Sequence, residues 1–401
     1  MISRQIPMPT CSCEVVMLMP GQGWNIWNIR CQALKKISRV GECLKALSGR
    51  GRRYWNWNKA LISGADIEIG LEQWMPLTIG ASWVNKYEKV KENVFHDATH
   101  KVNFPDFVNA WDVRTGFNSE RWDVLLEYAQ KTDDPSYDNG YIFRQGKTAM
   151  MSGTYTGKRF NVLVQIKRSE NMSFKSTASA VKSIGMSSAI NHLPAFTQEH
   201  TYALAALYPY ATQLADGEWA CQTEWGYQMP RNTLLGGRYG THIRLNFSHV
   251  HALQRDFIDG NNRNSLTGQT SLAGTRGYSA GFWGWGSHTY YQDFNIEVSK
   301  KLSPGFNMTL AYMNQHYNQT IVEGHGDMIR SDIYILETKC RLSPKTIVRG
   351  ECQYLTTAQD DGDWGFALLE LSLAPHWICS VSDMYNAGST HNHYYRGLVT
   401  Y

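Results

Sequence analysis

The sequence predicts an all-β fold: one antiparallel up-and-down sheet of about fourteen strands over residues 54–401, continuous enough to form a barrel. Three observations carry this. Apolar and polar residues alternate over many stretches of about ten residues, and a strand of period two turns such alternation into one apolar and one polar face. A Leu-x-Pro turn recurs at Lys301-Leu302-Ser303-Pro304-Gly305, Arg341-Leu342-Ser343-Pro344-Lys345 and Leu373-Ala374-Pro375. Proline pre-sets a turn and cannot donate to a ladder, so each copy fixes a chain reversal. Short turns fall near 76, 119, 157, 230, 304, 344 and 375, several of them about 30 to 45 residues apart, which fits two strands plus one long loop.

The individual strands follow the same grammar. The first pair is Ile67-Ile69-Leu71 and Leu77-Ile79-Ala81, around a turn near Trp74-Met75-Pro76. Trp122, Val124, Leu126 and Tyr128 oppose Asp123, Leu125, Glu127 and Ala129, and Phe160, Val162, Val164 and Ile166 oppose Asn161, Leu163, Gln165 and Lys167. Trp219, Cys221, Thr223, Trp225 and Tyr227 oppose Glu218, Ala220, Gln222, Glu224 and Gln228, before the turn at Met229-Pro230-Arg231-Asn232. Ile243, Leu245 and Phe247 alternate with Arg244 and Asn246; Phe294, Ile296 and Val298 alternate with Asn295 and Glu297; Met308, Leu310 and Tyr312 alternate with Thr309 and Ala311. Two intervals between turns, each of about 73 residues, hold extra or longer elements that periodicity does not resolve.

Composition selects among β proteins. The chain has 401 residues, 22 Tyr and 14 Trp, and only 18% charged residues. Such an aromatic excess suits the two interfacial girdles of an outer-membrane barrel. Mean hydropathy is −0.41 and no run approaches eighteen apolar residues, so spanning helices are excluded; a barrel is not, because its lumen-facing residues are polar. The competing fold is a soluble or surface-attached β-sandwich or solenoid that binds glycans through its aromatic rings.

Residues Glu297, Glu337, Lys339, Arg349, Glu351 and Glu370 fall on the polar faces of their strands and are the candidates for lining a lumen, where they would tune selectivity or pair across strands. Val162, Val164, Ile166, Leu310, Leu369 and Leu371 are the matching lipid-facing candidates. The last strand alternates Tyr395, Gly397, Val399 and Tyr401 with Tyr394, Arg396, Leu398 and Thr400. We expect the barrel to be interrupted there, with no pairing to the strand near Ile67.

Residues 1–53 read as a basic, irregular head outside the barrel. Residues 1–60 hold ten Lys/Arg against two Asp/Glu, so the overall net charge of +4 belongs to the head and gives no support to nucleic-acid binding. The apolar stretch Val15–Met19 ends at Pro20 and is too short for a secretion signal. This predicts that the authentic start lies upstream, or that the first fifty residues are not genuine coding sequence. Cys11, Cys13, Cys31 and Cys43 lack the spacing of a zinc site.

Three segments carry a family resemblance: Ser169-Glu170-Asn171-Met172-Ser173-Phe174-Lys175-Ser176, then residues 190–197 (Ile190 to Thr197), then Glu199-His200-Thr201-Tyr202-Ala203-Leu204-Ala205-Ala206-Leu207-Tyr208-Pro209-Tyr210. With Leu234-Leu235-Gly236-Gly237-Arg238-Tyr239 and the stretch from Arg53 to Asp66, they resemble an uncharacterised family of Bacteroidota outer-membrane β-barrel proteins. The resemblance spans about residues 51–401. It implies the bacterial outer membrane, with membrane lipid and other outer-membrane or surface proteins as partners, and brings no catalytic residues.

The chemistry-bearing motifs are weak. His249-x-His251 and His391-x-His393 each place two imidazoles on one strand face without a telling third ligand. Gly324-His325-Gly326-Asp327 with Ser331 has triad residue types but no nucleophile elbow. Gly281-Phe282-Trp283-Gly284-Trp285-Gly286 has no following helix and reads as an aromatic interfacial loop, while residues 259–265 read as an exposed polar loop. We therefore expect a porin-like channel or a component of a surface complex, with no enzyme activity, cofactor, metal or nucleic-acid partner. The alternatives are a glycan-binding β protein and a barrel-borne hydrolase.

Overall fold

The computed structural model describes residues 11–18, 25–31, 60–71, 75–89, 94–95, 97–176, 189–210 and 217–401. The residues leading into the barrel from Tyr54 to Lys59, together with Cys43 and Trp74, lie outside the described residues.

Nearly everything described is strand. In chain order these are β1 (Cys11–Leu18), β2 (Asn25–Cys31), β3 (Ala60–Gly70), β4 (Leu77–Glu88), β5 (Phe107–Asn118), β6 (Trp122–Lys131), β7 (Gly146–Thr156), β8 (Phe160–Glu170), β9 (Glu218–Met229) and β10 (Thr241–Leu253). The two-residue strands β11 (Asp256–Phe257) and β12 (Tyr278–Ser279) form a separate small hairpin. The main sheet resumes with β13 (Trp285–Ser303), β14 (Phe306–Asn318), β15 (Met328–Ser343), β16 (Thr346–Thr357), β17 (Trp364–Leu373), β18 (Trp377–Asn386) and β19 (His393–Thr400). A single helical turn, α1 (Gln319–Val322), follows β14. No helix among the described residues is long and apolar enough to cross a membrane.

From β3 to β10 and from β13 to β19, each strand pairs antiparallel with the next, giving a fifteen-strand meander against the expected fourteen or so. Among the described residues, the two long intervals, between β8 and β9 and between β10 and β13, add no further strand to the main sheet. The connections after β3, β5, β7, β9, β13, β15 and β17 lie at one end of the sheet, here the short-turn end, and the remaining connections of the meander lie at the other, here the long-loop end. The repeated Leu-Ser-Pro device produces the same geometry twice: Ser303 faces Phe306 and Ser343 faces Thr346, with an identical register shift after Lys301 and Arg341.

Two strands lie within residues 1–53. β1 pairs with β2 and also with β3, so the sheet continues into the segment that the sequence sets apart as a head. At the far edge β19 pairs with β18 alone among the described residues, and the sheet is not closed. Ile67 is opposite Ala81 of β4 and Cys13 of β1, not any residue of 391–401.

The two faces of the meander differ sharply. On one, here the bare face, Leu310 is 48% exposed, Tyr334 53% and Leu369 55%. On the other, the covered face, Met313 is 2% exposed and Ile333 and Leu355 are fully buried. One continuous cluster there joins Ala220 of β9 to Trp364 of β17 and includes Phe196, Leu204, Ala205, Tyr208 and Tyr210 from the loop between β8 and β9.

Candidate functional site

The covered face owes its cover to residues 189–210. Tyr202 to Leu207 make a short helical turn, with Ala206 N–H donating to the Tyr202 carbonyl at 3.0 Å. Pro209 cannot supply the next N–H, so the turn stops and the chain leaves extended. Small side chains let this backbone lie directly on the sheet, and buried backbone polar groups then need partners. The wall supplies them from neutral side chains. Gln353 Oε1 accepts from Leu204 N–H at 2.8 Å, Gln315 Nε2 donates to the Ala205 carbonyl at 3.0 Å, and Ser248 Oγ accepts from Gln198 N–H at 3.2 Å. Asn295 Nδ2 donates to Gln198 Oε1 at 3.0 Å, and His200 Nε2 lies 2.7 Å from Asp293.

Rings and one buried ion pair finish the seal. Tyr208 stacks on Tyr317 at 5.9 Å and Tyr210 on Tyr291 at 5.7 Å. The Tyr210 hydroxyl donates to Glu218, which sits 2.6 Å from Lys167 with both side chains fully buried. Lys167 also donates to the Pro194 carbonyl at 2.7 Å. A second anchor uses the start of the same loop: Lys86 and Lys131 share Asp134 at 3.1 Å each, flank the Phe174 ring, and donate to the Lys175 and Ser173 carbonyls.

Toward the short-turn end the covered face carries a separate group of charged residues. Arg244 reaches Glu297 at 2.8 Å. Arg349 reaches Glu337 at 3.0 Å and also pairs with Glu351, while Glu370 is its cross-strand neighbour. Lys339 is opposite Arg349 and is exposed. All six charged residues singled out from the sequence thus stand on one face, five of them on β15, β16 and β17 and Glu297 with Arg244 further along the sheet. A comparable group nearer β3 went unread: Arg114 contacts Asp66 at 2.7 Å, Ser82 at 2.7 Å and Asp112 at 3.2 Å. Gly80 is what admits it, since a Cβ there would lie 2.6 Å from Arg114 Nε.

The weaker motifs fall elsewhere. His249 and His251 are on the bare-face side of β10, stacked with Trp285. The His251 ring nitrogens face the Gly286 carbonyl at 2.9 Å and Thr289 Oγ1 at 3.3 Å, which accounts for them as packed side chains. His393 lies 2.8 Å from Asp383 and stacks on Tyr385. His325 pairs with Glu323 at 3.2 Å, whereas Ser331 is buried on the covered face. Among the described residues no three His, Cys, Asp or Glu side chains form a metal-holding group. Phe282, Trp283 and Trp285 gather around Trp219, with centroid separations between 6.1 and 6.4 Å. In the polar loop Arg263 pairs with Asp259.

Beside the Arg114 group, sequence reading missed the neutral residues Gln315, Gln353, Asn295 and Ser248 and the acid Asp293. Their signal was present as amides and small polar groups at covered-face positions on the loop-side half of successive strands.

Among solved structures, a triple mutant of the Rhodopseudomonas blastica porin is similar over 98% of this chain and 97% of its own, with 8% identity and a TM-score of 0.31. A mutant of the ferric enterobactin receptor from Pseudomonas aeruginosa is similar over 96% of this chain and 54% of its own, with 8% identity and a TM-score of 0.40. No curated protein matches the chain. A family model described as a family of unknown function, DUF6029, matches residues 33–401, and the chain belongs to that family.

Proposed function

We propose that this chain is an outer-membrane β-barrel protein, a porin-like channel or a component of a surface complex, whose lumen is filled on the loop side by residues 189–210. The supporting observation is the inversion of its faces. Apolar side chains such as Leu310, Tyr334 and Leu369 are left bare over the whole meander, while Asn295, Gln315 and Asp293 are buried. Exposing so much contiguous apolar surface to water would be costly, so the bare face belongs against lipid.

Aromatic rings on the bare face add support, because they form two rows. Near the short turns Trp122, Tyr155, Phe160 and Trp225 touch in sequence across β6 to β9. Near the long loops Tyr87 touches Phe107, and Trp111 touches Tyr128. Trp122 and Tyr128 are separated by six residues of β6, about 20 Å along a strand. We read these rows as the two girdles of a membrane belt.

In this reading Glu297, Glu337, Lys339, Arg349, Glu351 and Glu370 line the short-turn half of the lumen and set its charge, residues 54–401 form the barrel, and no catalytic step is involved. Outer-membrane lipid is the first partner, with other outer-membrane or surface proteins beside it. Origin in Bacteroidota is proposed on the family resemblance of residues 53–66, 169–176, 190–197, 199–210 and 234–241. Unpaired backbone in hydrocarbon costs several kcal/mol per group, so the free edge of β19 has to be paired or covered in the membrane. The test is retention in phosphatidylcholine vesicles after an alkaline carbonate wash: the chain should stay with the vesicles. A chain that remains soluble and monomeric after detergent removal would overturn the proposal.

A further inference from the structure

One cleft is unused by the lumen. It has a volume of about 380 Å³ and lies at the long-loop end, outside the covered face, between β7, β8 and the loop 254–284. Arg144, Lys147, Arg168 and Arg276 line it, against only Asp133 and Glu170. Glu170 is already committed: Arg144 Nε reaches it at 2.6 Å and Arg168 Nη2 at 2.7 Å. The Lys147 and Arg276 side chains make no hydrogen bond or ion pair among the described residues. Arg168 is 2% exposed and stacks over Phe282 at 5.0 Å, yet its Nε has no hydrogen-bond partner among the described residues. A buried guanidinium N–H without an acceptor is costly, and four cations around two carboxylates leave a site that calls for an anion.

The height of the cleft narrows the choice of anion. Tyr128 of the long-loop aromatic row is opposite Ala149, Ala149 is opposite Arg168, and Arg168 is opposite Trp219. Arg168 therefore stands level with the upper ring row, and Lys147 lies two residues nearer the loops. Beside it Trp283 is 80% exposed and stacked on Trp219 at 6.1 Å. Cations directly above an aromatic row, with a bare indole alongside, match a molecule carrying a phosphate above an acyl chain. We infer that this cleft binds the phosphate of a lipid headgroup, with Lys147, Arg168 Nε and Arg276 as donors and Phe282 and Trp283 against the lipid's apolar part.

The ligand class rests on the membrane reading above, but a water-soluble probe separates the two. Dihexanoyl phosphatidate, kept below its micelle concentration, is titrated into the full chain in detergent and followed by calorimetry, with dihexanoyl phosphatidylcholine and inorganic phosphate as parallel arms. Phosphatidate should bind, and the double variant Lys147→Gln/Arg276→Gln should weaken it by about tenfold or more, each change removing one charge-assisted contact. Lys345→Gln, in a turn at the opposite end, should leave the affinity unchanged. Both variants alter exposed or half-buried side chains without partners, and unchanged tryptophan fluorescence verifies folding. Equal affinity in the double variant, or no binding to the wild type, would overturn the inference. Displacement by inorganic phosphate mole for mole would replace the lipid with the free anion and would also overturn it. Failure of the chain to stay with vesicles is a separate result, since this probe needs no bilayer.

Discussion

On β14, Leu310 and Ala311 are chain neighbours, yet one is 48% exposed and the other 7%. The same contrast divides the whole meander into a bare face and a covered one. In a water-soluble sheet the apolar face is the buried one, since burial of apolar area is the main favourable term. Here Asn295 and Gln315 are 1% exposed while aliphatic and aromatic residues are bare. Burial of those amides is tolerable because each donates a hydrogen bond, Gln315 Nε2 to the Ala205 carbonyl and Asn295 Nδ2 to Gln198, although Gln315 Oε1 has no partner among the described residues. The two faces therefore obey separate rules. The bare face is set by its surrounding solvent, the covered face by hydrogen-bond satisfaction around one inserted loop.

The sharpest way to break that contrast is inside the seal. Glu218→Leu removes the carboxylate beside Lys167 and leaves a buried ammonium unpaired, which should cost about 3–5 kcal/mol in urea titrations of the vesicle-bound protein. A cost near zero would mean that the pair is solvated and the seal is not tight. Next comes the bare face. Leu310→Arg or Leu369→Arg should cost about 2–4 kcal/mol, whereas Thr309→Arg, one residue away on the covered face, should cost far less. Equal costs would erase the distinction between faces.

Smaller effects probe the fit of the loop. Gln353→Leu strands the Leu204 N–H and should cost about 1–3 kcal/mol, visible as faster hydrogen exchange across residues 198–208. The smallest prediction concerns the polar loop outside the sheet, where the Arg263 hydrogen bond holds the Asp259 carboxyl well below the usual carboxylate range. A depressed folded value gives stability that is complete above the unfolded pKa of about 3.9 and is lost as pH falls through the folded one. Protease nicking of this loop should therefore stay constant from neutral pH down to the usual carboxylate range and rise only below it. Arg263→Gln removes that contribution at every pH, so it should raise nicking already at neutral pH and flatten the rise in acid.

Much of the sheet was legible in the sequence because period two survives in every strand. Six of the seven short turns fall where proline or glycine puts them, the exception being Ser119-Glu120-Arg121, and Leu302-Ser303-Pro304 and Leu342-Ser343-Pro344 even share a register shift. The inserted loop was not legible. Tyr202, Leu204, Ala205 and Tyr208 have no strand period, and their role depends on wall residues such as Gln353, some 150 positions away. The charged candidates were found because charge on a polar face stands out. The neutral amides that hold the loop were missed because Asn and Gln at such positions read as ordinary surface. Strand pairing at β1 was equally hidden, since charge composition marks residues 1–53 as different without saying whether they add to a sheet edge.

Occlusion of the lumen of a membrane-spanning sheet by residues 189–210 is the proposal on which the others depend. Planar-bilayer recording tests it directly, comparing the wild-type chain with a variant in which residues 198–208 are replaced by a Gly-Ser linker of equal length. The wild type should show little or no steady conductance, and the variant large, steady single-channel steps. Identical conductance in the two would contradict occlusion by this loop, and absence of any insertion by either would contradict the membrane reading itself.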